Sequence, residues 1–326
     1  MKQMSAIARS EYGSPDLLRL EEINKPAVPD NGVLVRVRAT SVNAGDCHLM
    51  RGEPFFIRFI LGGLLKPKIK ILGFDVAGQV EAVGKDVAQF QPGDEVFGDL
   101  SECGFGAFAE YACATEAALA LKPTNLSFEE AATVPGAALT ALQGLRDCGQ
   151  MQSGQKVLIN GASGGVGSFA VQIAKAFGAE VTAVCSTKKM DGVRSLGADH
   201  VIDYTQTDVT QTGQHYDLIF DAAAYRSVFD YLPALTPDGT YVMIGGSIAR
   251  FFQVMFLAPW ISRTRRQKVK CLAAKPNQTD LTTLKALVEA GAIAPLIDQR
   301  YTLSEVPAAI RHLEQRQVLG KVAIRV

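Results

Sequence analysis

No two of the six cysteines (Cys47, Cys103, Cys113, Cys148, Cys185 and Cys271) stand in a CxxC pair. That spacing excludes a zinc ribbon and argues against a disulfide framework, leaving reduced thiols as the expected state. Neither sign of charge prevails, with 33 Lys and Arg against 33 Asp and Glu. No global field draws the chain to nucleic acid or to an anionic surface, so the expected partners are small molecules. Long hydrophobic runs are missing too. The two most apolar stretches, 55–65 and 251–261, are too short to span a bilayer and are interrupted by Arg58, or by Gln253 and Pro259. They read as pocket or interface segments. The opening MKQMSAIARS lacks the basic, apolar and cleavage regions of a signal peptide, and a cytoplasmic protein is expected. There is no internal repeat and no low-complexity tract.

What is present is most distinctive at 156–184, KVLINGASGGVGSFAVQIAKAFGAEVTAV. It reads as a buried strand, a glycine-rich turn, an amphipathic helix and a second buried strand, the βαβ unit that binds dinucleotides. Gly161, Gly164, Gly165 and Gly167 permit a sharp turn and bring backbone N–H groups close to a pyrophosphate at the helix N-terminus. Ser163, Gly164, Gly165, Val166 and Gly167 are therefore the candidate cradle.

Around this unit the pattern changes in kind. Up to about residue 122 the chain reads as short strands between turn signals, at 17–23, 32–42 and 75–84, implying an all-β, barrel-like unit. A helical period follows at 127–148, with Asn125 or Ser127 as its cap and Glu129 and Glu130 near its positive end. Apolar strands at 156–160, 180–185, 200–203, 216–221 and 240–244 then alternate with helical segments, the signature of a doubly wound parallel Rossmann sheet. The basic run RTRRQKVK at 263–270 reads as a charged edge strand. Helical patterns at 281–291 and 304–315 and a last strand, GKVAIRV, return to the first unit. The fold class is α/β, with domains at 1–125, completed by 275–326, and at 126–274.

Six segments, in order, carry a resemblance: SVNAGD at 41–46, GFDVAGQVEAVGKDVAQFQPGDEVFG at 73–98, AATVPGAALTAL at 131–142, GASGGVG at 161–167, LGADHVIDY at 196–204, and the closing GKVAI. Together they resemble the medium-chain dehydrogenase/reductase superfamily, and within it the zinc-free quinone oxidoreductase branch. The resemblance implies a GroES-like β-barrel-type domain joined to the Rossmann domain. It also implies the absence of a metal. Zinc-dependent members place a ligating Cys where this chain has Asn43, and a His-Glu pair where it has Phe74 and Asp75. Cys103 and Cys113 fall short of the four ligands of a structural zinc.

An NAD-specific site places Asp or Glu after the second strand of the unit, but the chain reads AVCSTKKMD there. Ser186, Lys188 and Lys189 offer a hydroxyl and cations suited to a 2′-phosphate, so NADPH is the expected cofactor. By resemblance, Lys189 and Tyr204 bind that phosphate and Thr140 lines the nicotinamide side. Ala222, Gly245 and Gly246 follow strand ends at the carboxyl edge of the sheet, where small residues leave room for ribose and nicotinamide.

Hydride addition to a quinone or an enone delocalises charge into a conjugated oxygen, for which hydrogen bonds suffice. Asn43 is the expected donor to that oxygen. Asp46 is read either as orienting the coenzyme ribose or as a helix cap, and His48 as a candidate proton donor in competition with solvent. Phe55, Phe56 and Phe59 are read as part of a lid over a hydrophobic acceptor. A homodimer is expected from the family. Two other readings stay open at this point: a zinc-free carbonyl reductase resembling alcohol dehydrogenases, and an NADPH-binding regulatory protein without turnover.

Overall fold

The computed structural model describes residues 2–60 and 63–326. The chain forms two compact units. The first comprises Met1–Gly136, Pro276–Ala290 and Ile297–Val326, and the second Ala137–Lys275 with Gly291–Leu296. They part at Gly136, beyond the 125–126 boundary drawn from sequence, and a short return segment of the second unit interrupts the C-terminal part of the first.

A seven-stranded sheet dominates the first unit, and a separate hairpin-like pair, Gln3–Ala8 and Arg19–Asn24, accompanies it. The long strand Gly32–Val42 is its hub, pairing antiparallel with Asp75–Val83, Tyr111–Thr115 and Lys321–Arg325. Alternating valines explain its place. Val33, Val35 and Val37 are buried with Val76, Val80, Val96 and Leu119 in one apolar cluster, while Arg36 points outward. A second cluster packs Leu49, Met50, Leu72 and Phe108 against Val306, Ile310 and Ile324.

Two pairing registers bring polar side chains together in this sheet. Thr40 lies opposite Val76, which sets Ser41 beside Asp75. Val322 lies opposite Val42, which sets Lys321 beside Asn43. Residues remote in sequence are thus delivered to one edge by β pairing alone.

The second unit holds a six-stranded parallel sheet. Its strands, in chain order, are Lys156–Asn160, Glu180–Cys185, His200–Asp203, Tyr216–Asp221, Leu235–Met243 and Lys268–Cys271. Their spatial order is 3-2-1-4-5-6, that of a doubly wound Rossmann sheet, with the reversal between Lys156–Asn160 and Tyr216–Asp221. The basic run ends in the edge strand Lys268–Cys271, as expected from its charges.

Helical segments depart more from expectation. The 127–148 stretch is three pieces: Phe128–Ala131, Pro135–Gln143 and a π turn at Gly144–Cys148. Pro135 restarts the helix because it cannot continue one. Ser127, rather than Asn125, caps the first piece and pairs reciprocally with Glu130, while Asn125 donates to the carbonyl of Val288. The 251–261 run is the middle of a longer helix, Ile248–Thr264.

Candidate functional site

At the coenzyme end, Gly161 leaves the first parallel strand at φ 78°, a left-handed conformation that favours glycine. The turn then feeds the helix Gly165–Ala176, whose N-cap, Gly164, offers no side-chain cap. A Cβ on Gly167 would stand 2.1 Å from the Gly161 carbonyl oxygen, so this glycine is required for helix and turn to meet. A Cβ on Gly164 would meet nothing nearer than 3.6 Å, so the turn is open on its outer side. Ser163 is buried, whereas Gly164, Gly165 and Val166 are partly open to solvent. An uncapped, unobstructed helix N-terminus fits an anionic pyrophosphate.

Strand register gathers the other candidates along the same carboxyl edge. Asn160 lies level with Val184 and Asp221, and Asp221 with Met243. Ala222 donates its N–H to Asn160 O at 3.0 Å, and Ala224 donates to Gly245 O at 2.8 Å. Gly246 approaches Ala224 so closely that a Cβ would lie 2.4 Å from its oxygen. Beneath this edge lies a buried polar knot that sequence reasoning missed. Asn160 Nδ2 and Tyr241 OH donate to the two oxygens of Asp221, each at 2.7 Å. Burial pushes the Asp221 carboxyl above its usual range.

Ser186 follows the strand Glu180–Cys185, and Tyr204 N–H donates to Cys185 O at 3.1 Å, so both reach the same corner. Lys189 opens the following helix Met190–Ser195 and is half-buried. A carboxylate stands here as well: parallel pairing puts Asp203 level with Cys185. It accepts from the hydroxyls of Thr187 and Thr205, which hold its carboxyl below the usual range. Both its oxygens are occupied from within the protein. Thr140 is half-buried on the helix Pro135–Gln143.

In the first unit the catalytic candidates divide. Asn43 caps the helix Ala44–Arg51, and its N–H donates to Asp46 Oδ2 at 2.9 Å. Asp46 also accepts from Gly73 N–H at 3.1 Å and is fully buried. It is the cap partner. Burial, with Asp75 nearby, pushes its carboxyl up to about 7. His48 instead is exposed, with Nδ1 3.1 Å from Glu53 O, and shares no hydrogen bond with this group.

The carboxamide of Asn43 is itself held from two sides. Its Nδ2 donates to Asp75 Oδ2 at 2.9 Å, and its Oδ1 accepts from Lys321 Nζ. One of the amide hydrogens expected for a substrate oxygen is therefore committed to Asp75. Asp75 accepts further bonds from Ser41 Oγ, at 2.5 Å, and from Gly136 N–H, at 2.7 Å. Asp99, pushed up to about 7 by burial and then by Asp75, completes a cluster of three buried aspartates around Lys321. Neither Asp75 nor Lys321 stood among the sequence candidates as a catalytic group.

These residues do not fit a zinc centre. An amide, a phenyl ring and a carboxylate already paired with lysine occupy the positions where zinc-dependent relatives carry their ligands. Among the described residues no group of three or more His, Cys, Asp or Glu is arranged to hold a metal.

The description "Alcohol dehydrogenase GroES-like domain" matches residues 29–124, and "Zinc-binding dehydrogenase" matches residues 196–324. Over 99% of its length the chain is 32% identical to the 2-methylene-furan-3-one reductase of Solanum lycopersicum, covering 79% of that protein. The chain belongs to the quinone oxidoreductase branch of the medium-chain dehydrogenase/reductase superfamily. Another member, the chloroplastic NADPH-dependent alkenal/one oxidoreductase of Arabidopsis thaliana, is also 32% identical, over 99% of this chain and 80% of its own. Among solved members, the quinone oxidoreductase of Coxiella burnetii superposes with a TM-score of 0.88 at 28% identity, each chain covered in full.

Proposed function

We propose that this chain is an NADPH-dependent reductase that delivers a hydride to a quinone or an α,β-unsaturated carbonyl without a protein-bound metal. The observation that carries the reading is the open, uncapped glycine turn at the reversal point of a 3-2-1-4-5-6 parallel sheet. The names of its relatives, a methylene-furanone reductase, an alkenal/one oxidoreductase and a quinone oxidoreductase, support a conjugated acceptor.

Ser163, Gly164, Gly165, Val166 and Gly167 hold the pyrophosphate. Ser186, Lys189 and Tyr204 receive the 2′-phosphate, which favours NADPH over NADH because a cation repays the phosphate charge. Internal saturation of Asp203 supports the same preference, since its oxygens are already taken by threonine hydroxyls. Ala222, Gly245, Gly246 and Thr140 line the nicotinamide end. The bound coenzyme supplies a hydride.

The protein's own part is to hold the acceptor oxygen. Asn43, fixed by Asp75 and Lys321, keeps a second Nδ2 hydrogen for that oxygen, and Asp46 positions Asn43 through the helix cap. His48 lies outside the network, so solvent delivers the proton. Phe55, Phe56 and Phe59 are exposed around the short helix Phe56–Ile60 and offer an apolar cover to the acceptor; Leu61 and Gly62 of that segment lie outside the described residues. The enzyme works in the cytoplasm as a homodimer, takes no nucleic-acid partner, and has no described helix long and apolar enough to cross a membrane.

The test uses NADPH deuterated at the nicotinamide C4 with a simple enone. Deuterium at the β-carbon of the product, read by mass spectrometry, is the expected result. Consumption of NADPH with no label at that carbon would remove the proposal.

A further inference from the structure

Three consecutive residues of the first unit, Gly104, Phe105 and Gly106, take positive φ, at 94°, 68° and 105°. Glycine adopts such values freely, whereas a bulky side chain does so at a cost. Two other described non-glycine residues share this region, Gln150 and Arg316, and both are exposed polar residues just beyond helical segments. Phe105 is apolar and half-buried, so exposure of a turn to water does not account for it. Its backbone is pinned on both sides. Phe105 N–H donates to Leu100 O at 3.0 Å, and Ala107 N–H donates to Gly73 O at 3.0 Å. A conformation held against its preference persists where the surroundings over-determine it, and such residues gather at ligand sites.

What the conformation achieves is the placing of one ring. Phe105 meets Phe74 edge to face, with centroids 6.2 Å apart and planes at 76°. Phe74 in turn lies in a slot between two glycines: a Cβ on Gly45 would stand 3.2 Å from its Cε1, and one on Gly136 would stand 2.6 Å from its Cε2. Both glycines adjoin the polar network around Asn43. Gly45 stands in the helix that Asn43 caps, and Gly136 N–H donates to Asp75, which holds the Asn43 carboxamide. Phe74 and Phe105 each remain partly open to solvent. A strained phenylalanine between two glycines thus completes an aromatic wall in the neighbourhood of the amide proposed for the acceptor oxygen.

We propose that Phe105, together with Phe74, is the specificity-determining surface for the acceptor, stacking a planar ring and so favouring a quinone over an acyclic enal. This rests on the reductase reading above and deepens it by naming the acceptor class. A flat, extended π system covers an aromatic surface that an open-chain enal, with its short conjugated segment, covers only in part. Asn43 meets a carbonyl oxygen in either acceptor; the rings decide between them.

The test measures kcat/KM for naphthoquinone and for crotonaldehyde at saturating NADPH, in the parent and in Phe105→Gly, which suits the left-handed backbone and removes the ring. The ratio of the two, naphthoquinone over crotonaldehyde, is expected to fall about tenfold, the size of one aromatic contact. NADPH affinity, read by calorimetric titration, should not change. Phe105→Leu keeps an apolar side chain against the cluster of Leu49, Met50 and Leu72 should the glycine variant fold poorly, and it should lose the preference too. A parent-like ratio in the folded variants, with both acceptors affected equally or not at all, would overturn the proposal and leave the reductase reading standing. A parent that turns over neither acceptor would overturn both.

Discussion

Lys321 Nζ lies 3.1 Å from Asp75 Oδ2, across 246 residues of chain, with both side chains withdrawn from solvent. The pair sits under Asn43 and holds its carboxamide from both sides. Taking away the cation leaves Asp75 buried among two other aspartates. Lys321→Met should therefore cost about 3–5 kcal/mol of stability, the usual penalty for an uncompensated buried charge. Urea unfolding measures it, and Asp75→Asn added to the same chain should recover part of the loss. A Lys321→Met protein as stable as its parent would mean that the pair contributes nothing.

The glycine turn makes two different predictions. Gly167→Ala forces a Cβ against the Gly161 carbonyl, so both melting temperature and coenzyme affinity should fall. Gly164→Ala meets no such obstacle within the fold. It should melt like the parent yet bind NADPH about tenfold more weakly or worse, because its methyl group points where the pyrophosphate must approach. Calorimetric titration beside a thermal melt separates the two. Tight NADPH binding by Gly164→Ala would move the cradle elsewhere.

Coenzyme choice is tested at Lys189. Lys189→Ala should raise the KM for NADPH by about tenfold to a hundredfold, the range of a charge-assisted hydrogen bond, and leave that for NADH nearly unchanged. Equal weakening of both would contradict the 2′-phosphate assignment.

Much of the fold was legible in the sequence because the parallel strands are short, apolar on both faces and bounded by turns. The strands at 156–160, 180–185, 200–203 and 216–221 occupy those bounds in the structure. The break at Pro135 was masked by an alanine-rich stretch that is buried on nearly every side, so no polar face marks where one helix stops. Lys321 and Asp75 were hidden for another reason. A charged residue in a strand reads as solvent-facing, and only β pairing reveals that Val322 opposite Val42 carries Lys321 to Asn43. The register, and not the local pattern, makes that site. Asp203 escaped notice likewise, since it reaches the corner proposed for the 2′-phosphate from the neighbouring strand.

Acidity offers a separate test. Asp46 titrates near 7 in the folded chain against an ordinary value of 3.8, so the folded state binds its proton more tightly than the unfolded state. Its contribution to stability is then largest below 3.8 and declines as pH rises towards about 7, where it levels off. Asp46→Asn should lose about 1–3 kcal/mol at acid pH for a poorer cap, and should show a shallower decline between those limits. Melting temperature against pH for the two proteins reads the difference. Parallel curves would show that folding leaves the Asp46 pKa at its ordinary value.

The central claim is hydride delivery to a conjugated acceptor by a nicotinamide coenzyme without help from a metal. Its most direct measurement follows NADPH absorbance with the chelator-treated enzyme on a quinone, an enone and the matching saturated ketone. The account predicts turnover of the quinone or the enone, none of the ketone, and no gain from added zinc. Ketone reduction that appears only when zinc is restored would contradict it.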